Sequence, residues 1–194
     1  MGIETSPVEM HPDLESVLLP ADVIQHRIRQ LGEEISEDLS GDPIHLVGVL
    51  RGALPFLADL MRAIRAPVTM DLISVGSYGA GARSTGVVRI VKDLEDSIEG
   101  RTVLLVEDIV DTGLTLAYLR DLLADRHAAE IRICTFLDKP DARVRPIHLD
   151  YVGFTVPNRF VVGFGLDYAQ RYRELPYVGI LRPEIYTAGH RAEA

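Results

Sequence analysis

Val103-Leu104-Leu105-Val106-Glu107-Asp108-Ile109-Val110-Asp111-Thr112-Gly113-Leu114-Thr115 is the stretch from which the rest of this chain can be read. Four aliphatic residues in a row, following Thr102, predict a short strand over Thr102 to Val106 buried on both faces, as in the middle of a parallel sheet. The strand discharges two adjacent carboxylates and a third three residues on. A turn of small residues follows and opens a helix predicted over Leu114 to Arg126. Such a turn aims backbone N–H groups and a helix N-terminus at one point, and Thr112 and Thr115 add hydroxyl donors, which makes a phosphate cradle. Carboxylates beside it would repel a bare polyanion, so they are expected to face hydroxyl groups or a metal ion.

Outward from this stretch, apolar runs alternate with helical patterns. Pro20-Ala21-Asp22 opens a helix with Val23, Ile24, Ile28, Leu31 and Ile35 at helical spacing, closing near Gly41-Asp42-Pro43. Ile44 to Leu50 reads as a buried strand and Gly52 to Ile64 as a helix, after which Pro67 restarts an extended segment to about Val75. Gly76 to Gly86, with four glycines, predicts a flexible loop, followed by a strand at Val87 to Val91. Further strands are expected at Glu130 to Leu137, Tyr151 to Val156 and Phe160 to Phe164. The alternation implies an α/β fold with a mainly parallel sheet flanked by helices. The whole of 1–194 reads as one domain, with tails at about 1–12 and 187–194.

Composition narrows the function. The chain has 194 residues, 47% hydrophobic and 25% charged, which builds an ordinary globular core and excludes disorder and low-complexity classes. A net charge of -9 and a pI near 5.1 oppose binding to a phosphate backbone, so no nucleic-acid partner is expected. The single cysteine, Cys134, lies in the apolar run Ile131 to Phe136 and reads as a buried thiol, not as part of a disulfide or zinc site. The six histidines have no ligand spacing. No stretch has the roughly 18 apolar residues of a membrane span, and no basic-then-apolar leader opens the chain, so the expected location is cytoplasmic. Met1-Gly2-Ile3-Glu4-Thr5-Ser6 matches a loose myristoylation pattern, but its acidic flank argues against a membrane anchor.

Common nucleotide motifs fail on spacing. Leu114 stands before Thr115 where a Walker loop needs Lys, and the frame opened by Gly79-Ala80-Gly81 closes on Ser84 where a dinucleotide fingerprint needs Gly. A signalling receiver would also end a strand in an acidic pair, but the chain after Asp108 is short for that fold and the phosphate turn would go unexplained.

Val106 to Thr115 instead closely resembles the phosphoribosyl-pyrophosphate motif of the type I phosphoribosyltransferases. Other segments are similar to the hypoxanthine-guanine branch of that family: Leu50-Arg51-Gly52-Ala53 to its pyrophosphate loop, Ser77-Tyr78 to the start of its lid, and Asp138-Lys139-Pro140 to its purine-reading lysine. Val152-Gly153-Phe154, Pro157 to Gly163 and Leu166-Asp167-Tyr168 resemble its base-stacking and metal-binding stretches. The likeness runs from about Val47 to Arg182, in the family's order; the last dozen residues add nothing to it.

The resemblance implies a twisted, mainly parallel sheet with a small hood from N- and C-terminal segments, and magnesium-dependent transfer of the 5-phosphoribosyl group from phosphoribosyl pyrophosphate to hypoxanthine or guanine. It implies that Glu107 and Asp108 hold the ribose hydroxyls, that Asp111 is the general acid or base at purine N7, and that Asp111, Thr112, Gly113, Leu114 and Thr115 hold the 5′-phosphate. Arg51, Gly52 and Arg173 would bind pyrophosphate. Lys139 would donate to purine O6, Phe160 would stack on the base, and Val161 would present backbone groups to its edge. Asp167 would lie near the purine and, with Glu107 and Asp108, contact Mg2+. Ser77 and Tyr78 would belong to a closing lid, and assembly as a homodimer or homotetramer is expected. Arg51 and Leu114 each replace a Lys found in some members. A non-catalytic regulator on the same fold is the rival reading, opposed by the filled positions at Asp111 and Lys139.

Overall fold

The computed structural model describes residues 9–41, 43–77 and 88–189. In chain order the strands and helices are β1 (Leu14–Leu19), α1 (Ala21–Asp38), β2 (Ile44–Leu50), α2 (Leu54–Ala63), β3 (Val68–Ser77), β4 (Val88–Lys92), β5 (Thr102–Val110), α3 (Leu114–Asp125), β6 (Glu130–Asp138), β7 (Tyr151–Thr155), β8 (Val161–Val162), β9 (Val178–Leu181) and α4 (Pro183–Gly189). Six strands form a sheet in the order β4-β3-β2-β5-β6-β7, parallel except for the edge strand β4.

The aliphatic run of β5 explains the layering. Its side chains alternate between faces: Leu104 and Val106 join Ile24, Ile28, Leu31, Phe56 and Leu60 under α1 and α2, whereas Val103 and Leu105 join Leu116, Leu119 and Leu123 under α3. Both faces are covered, so both sets are fully buried, and each such side chain stabilises the fold by about 1.5–3 kcal/mol.

The structure departs from the expected elements at β5 itself. The strand does not stop at Val106 but pairs with β6 to its end, Glu107 opposite Thr135 and Val110 opposite Asp138, so the acidic pair lies within the sheet. The expected strand at Phe160 to Phe164 shrinks to two residues. Gly163, Phe164 and Gly165 take positive φ of 100°, 48° and 97°, which no strand accommodates.

A second, antiparallel sheet in the order β1-β9-β8 joins the two ends of the chain over the carboxyl ends of the main strands, with Leu14, Val162, Tyr172, Tyr177 and Leu181 as its own core. This is the expected hood. Sequence periodicity had suggested neither β1 nor β9, because strands of six and four residues carry too little pattern. The tail expected from Thr187 also begins within a helix, since α4 runs to Gly189.

Candidate active site

Glu107 and Asp108 are consecutive in a strand, so they face opposite sides of the sheet. Glu107 continues the Leu105 face and lines a cavity of about 200 Å³ at the start of α3, together with Val110, Asp111, Thr112, Gly113 and Thr115. Asp108 continues the Val106 face and lines a second cavity of about 250 Å³ with Lys139, Phe160, Val161, Leu166 and Asp167. Ile109 and Asp111 line both.

Burial dominates the electrostatics of the acidic pair. It pushes Glu107 well above the usual carboxylate range, and the neighbouring Asp108 charge pushes it further. Asp108 is also raised by burial, opposed by hydrogen bonds from the Glu107 side chain and the Ile109 N–H and by the positive charge of Arg173. Two adjacent acids left dry in this way favour a ligand that supplies hydroxyl donors or positive charge.

Asp108 packs on the loop before α2. A methyl group on Gly52 would lie 1.5 Å from Asp108 Oδ2, and one on Gly165 would lie 2.0 Å from the Gly52 carbonyl oxygen. The preceding Leu50–Arg51 peptide is cis. Gly52→Ala is therefore expected to push Asp108 out of place at a cost of about 1–3 kcal/mol. Thermal unfolding would show a midpoint lowered by several degrees, with activity falling in the fraction that stays folded.

The first cavity is a cradle made mostly of backbone. Gly113 has φ 79° and begins α3 without a capping side chain, so N–H groups of the first turn open onto the cavity. Thr112 Oγ1 accepts from the Leu114 N–H at 3.4 Å, and the Leu114 side chain does not line the cavity. The turn is clamped from behind. Val144 and Arg145 N–H groups both donate to the Thr112 carbonyl, and Arg143 donates to the carbonyls of Asp111 at 3.1 Å and Val110 at 3.3 Å while pairing with Asp138.

The second cavity is bounded by β5, β6 and the hood. Lys139 is 7% exposed, and its Nζ lies 3.4 Å from Asp111 Oδ1. Its backbone N–H donates to the Val110 carbonyl, which fixes the lysine against the end of β5. Phe160, partly exposed, stacks on Tyr186 of α4 at 5.1 Å and meets Tyr168 edge-on at 5.5 Å. Asp167 accepts from Arg173 at 2.7 Å and from the Gln170 N–H at 2.9 Å, and Arg173 also donates to the Gly165 carbonyl. Arg51 reaches Gln170 Oε1 at 3.0 Å.

A family model described as the phosphoribosyl transferase domain matches residues 19–169. The chain belongs to the phosphoribosyltransferase family. This phosphoribosyltransferase is 49% identical over 177 residues to the hypoxanthine-guanine phosphoribosyltransferase of Bacillus subtilis, covering 91% of this chain and 98% of that one. It is 53% identical over 178 residues to the bifunctional protein TilS/HprT of Listeria innocua, covering 92% of this chain but spanning only 28% of that protein's length. Among solved structures, a hypoxanthine phosphoribosyltransferase from Staphylococcus aureus superposes with a TM-score of 0.88 at 45% identity, covering 94% of this chain and 99% of that one.

The phosphoribosyltransferase fold brings Glu107, Asp108, Asp111, Thr112, Gly113, Thr115, Lys139, Phe160, Val161 and Asp167 around two adjoining cavities. Arg51, Gly52 and Arg173 cluster beside Asp108 and Asp167. Glu107, Asp108 and Asp167 do not converge as a metal cage, and among the described residues no group of three or more His, Cys, Asp or Glu does. Strand alternation puts Glu107 on a different cavity from Asp108 and Asp167. Ser77 ends β3, while Tyr78 and the rest of the expected lid lie outside the described residues. Arg143 and Tyr186 were not singled out by sequence: the arginine follows Lys139 at no motif spacing, and the tyrosine lies in a segment to which the resemblance gave no role.

Proposed function

We propose that the two cavities are the phosphate and base halves of one site, which transfers the 5-phosphoribosyl group from phosphoribosyl pyrophosphate to hypoxanthine or guanine and yields IMP or GMP with pyrophosphate. The observation that carries this is Asp111: it lines both cavities and lies against Lys139. A 5′-phosphate in the cradle and a purine beside Lys139 would put the bond being made between them.

In this reading the purine nitrogen attacks C1 of the ribose as the C1–oxygen bond to pyrophosphate breaks, and the purine's proton passes to the Asp111 carboxylate. The ribose hydroxyls donate to Glu107 and Asp108, which relieves their buried charge. Negative charge there also favours the cationic sugar of the transition state over the neutral ground state. Lys139 donates to O6 of a 6-oxopurine, where adenine offers an amino group and no acceptor. Phe160, held by Tyr186 and Tyr168, stacks on the base, and Val161 presents backbone to its edge. Backbone N–H groups at Gly52, with Arg51 and Arg173, receive the pyrophosphate.

Magnesium fits this donor set. The ion binds through one or two carboxylates plus substrate phosphates and keeps several waters, so the lack of a three-ligand cage is no obstacle. Asp108 and Asp167, on the wall of one cavity, would hold it, with Glu107 acting through the ribose hydroxyls. It would supply positive charge to the departing pyrophosphate.

Arg143 positions rather than reacts. It ties the carbonyls of Val110 and Asp111 to Asp138, the residue before Lys139, so it holds cradle and base reader in one frame. Arg143→Ala is expected to raise KM for phosphoribosyl pyrophosphate and lower kcat roughly tenfold or more. Arg143→Lys restores charge but not the fork, and should recover only part of the loss. Steady-state kinetics with each substrate varied in turn checks this.

The deciding experiment incubates purified protein with magnesium, phosphoribosyl pyrophosphate and one of hypoxanthine, guanine, xanthine or adenine. Formation of IMP and GMP but not AMP supports the reading. Binding of phosphoribosyl pyrophosphate without turnover of any base would favour a regulator instead. The same reading places the protein in the cytoplasm as a homodimer or homotetramer, with no nucleic-acid or membrane partner; among the described residues no helix is long and apolar enough to cross a membrane.

A further inference from the structure

Between β8 and β9 the chain makes a turn that its residues do not favour. Tyr168 and Arg171 exchange backbone hydrogen bonds, at 3.2 and 3.0 Å, so Ala169 and Gln170 are the central pair of a tight turn. Both have positive φ, 50° and 64°, and Tyr172 follows at 78°. Turns that need positive φ twice are usually built from glycine, asparagine or aspartate, not from alanine and glutamine. Such a backbone persists only where its surroundings over-determine it. Tyr172, 1% exposed, supplies the anchor: its hydroxyl donates to Asp13 Oδ2 at 2.6 Å, tying the turn to the residue before β1.

The strained turn delivers the Gln170 side chain to two arginines. Gln170 Oε1 accepts from Arg51 Nη1 at 3.0 Å and from Arg173 Nη2 at 3.5 Å, and the Gln170 N–H donates to Asp167 Oδ2 at 2.9 Å. Arg173 is also held without Gln170, by Asp167 at 2.7 Å and by the Gly165 carbonyl at 2.7 Å. Arg51 is not. It arrives from the loop after β2, 119 positions away in the chain, and among the described residues its side chain hydrogen-bonds only to Gln170.

An amide oxygen gathers two guanidiniums without cancelling either charge, as a carboxylate would. Two guanidiniums gathered in this way suit the oxygens of a diphosphate. We propose that Gln170 is a positioning residue for the diphosphate end of the site, holding Arg51 beside Arg173 so that pyrophosphate, free or within phosphoribosyl pyrophosphate, meets them as a preformed pair. The inference rests on the transferase reading above and adds to it the residue that joins the two arginines. It also gives the strain at Gln170 a purpose, since the left-handed backbone is what turns Oε1 toward both.

The turn itself supplies the variants. Glycine and asparagine both tolerate positive φ, so Gln170→Gly and Gln170→Asn keep or relax the backbone, while one removes the bridging side chain and the other shortens it by a methylene. Thermal midpoints should match or exceed that of the unaltered protein. Calorimetric titration of the intact enzyme with pyrophosphate and magnesium, and separately with IMP, reads the effect. The dissociation constant for pyrophosphate should rise roughly tenfold in Gln170→Gly and by a smaller factor in Gln170→Asn, which covers the case in which glycine loosens the loop. That for IMP should not change, because on the same reading IMP fills the cradle and the base cavity without reaching the arginines. Unchanged pyrophosphate affinity in both variants would overturn the positioning role, and so would equal weakening of pyrophosphate and IMP, the mark of a loop that has merely collapsed. Unaltered protein that binds neither ligand would overturn the transferase reading and this inference with it.

Discussion

Asp111→Asn should lower kcat by about 10²–10⁴-fold, the usual contribution of a positioned acid or base, while KM for phosphoribosyl pyrophosphate changes little. The reason lies in what the substitution keeps. Asparagine has the same shape, and the turn from Asp111 to Thr115 is held through carbonyls, by Arg143 on Asp111 and by Val144 and Arg145 on Thr112. The cradle therefore survives, and what is lost is a carboxylate able to take a proton from the purine. Asp111 is half exposed, and an asparagine Oδ1 can still accept from the buried Lys139 ammonium, so the fold should be little affected. Pre-steady-state product formation separates this outcome from slow product release. An unchanged chemical step would move the acid–base role elsewhere, with Asp111 reduced to a wall residue.

The two halves of the site differ in how far sequence could reveal them. The cavity proposed for the phosphate is lined by a nearly continuous stretch, Glu107 to Thr115, and its expected chemistry follows from local rules: a buried strand, adjacent acids, a glycine at positive φ and a helix start. Even here the pattern misplaced the acids, because side-chain alternation alone cannot say whether pairing with β6 stops at Val106 or continues to Val110. The cavity proposed for the base is lined by Asp108, Lys139, Phe160, Leu166 and Asp167, which meet only once β6 lies beside β5 and the hood closes over both. No local period records that meeting, and only the family likeness pointed to it.

The hood shows the same limit from another side. Leu14 and Leu181 pair across the length of the chain, and the two strands that carry them are too short for periodicity to announce. Tyr186 then reaches Phe160 from a seven-residue helix. Its contribution depends on where the chain returns, which is a tertiary fact.

Lys139→Ala should reduce kcat/KM for hypoxanthine by about 10–150-fold, the loss of one hydrogen bond from a charged donor. Its effect on adenine should be far smaller. Adenine has no acceptor at position 6, so the lysine gives it nothing to lose; in the intact enzyme the buried ammonium is left facing an amino group and penalises adenine instead. Removing the side chain lowers the favoured base and relieves the disfavoured one, so their ratio changes more than either rate. Lys139 is anchored by its backbone N–H on the Val110 carbonyl, and its side chain ends 3.4 Å from Asp111, so truncation opens the base cavity without releasing β5. Competition between hypoxanthine and adenine for limiting phosphoribosyl pyrophosphate measures the ratio in one vessel. A ratio that stays at the wild-type value would shift base selection from Lys139 to the backbone at Val161, which lines the same cavity.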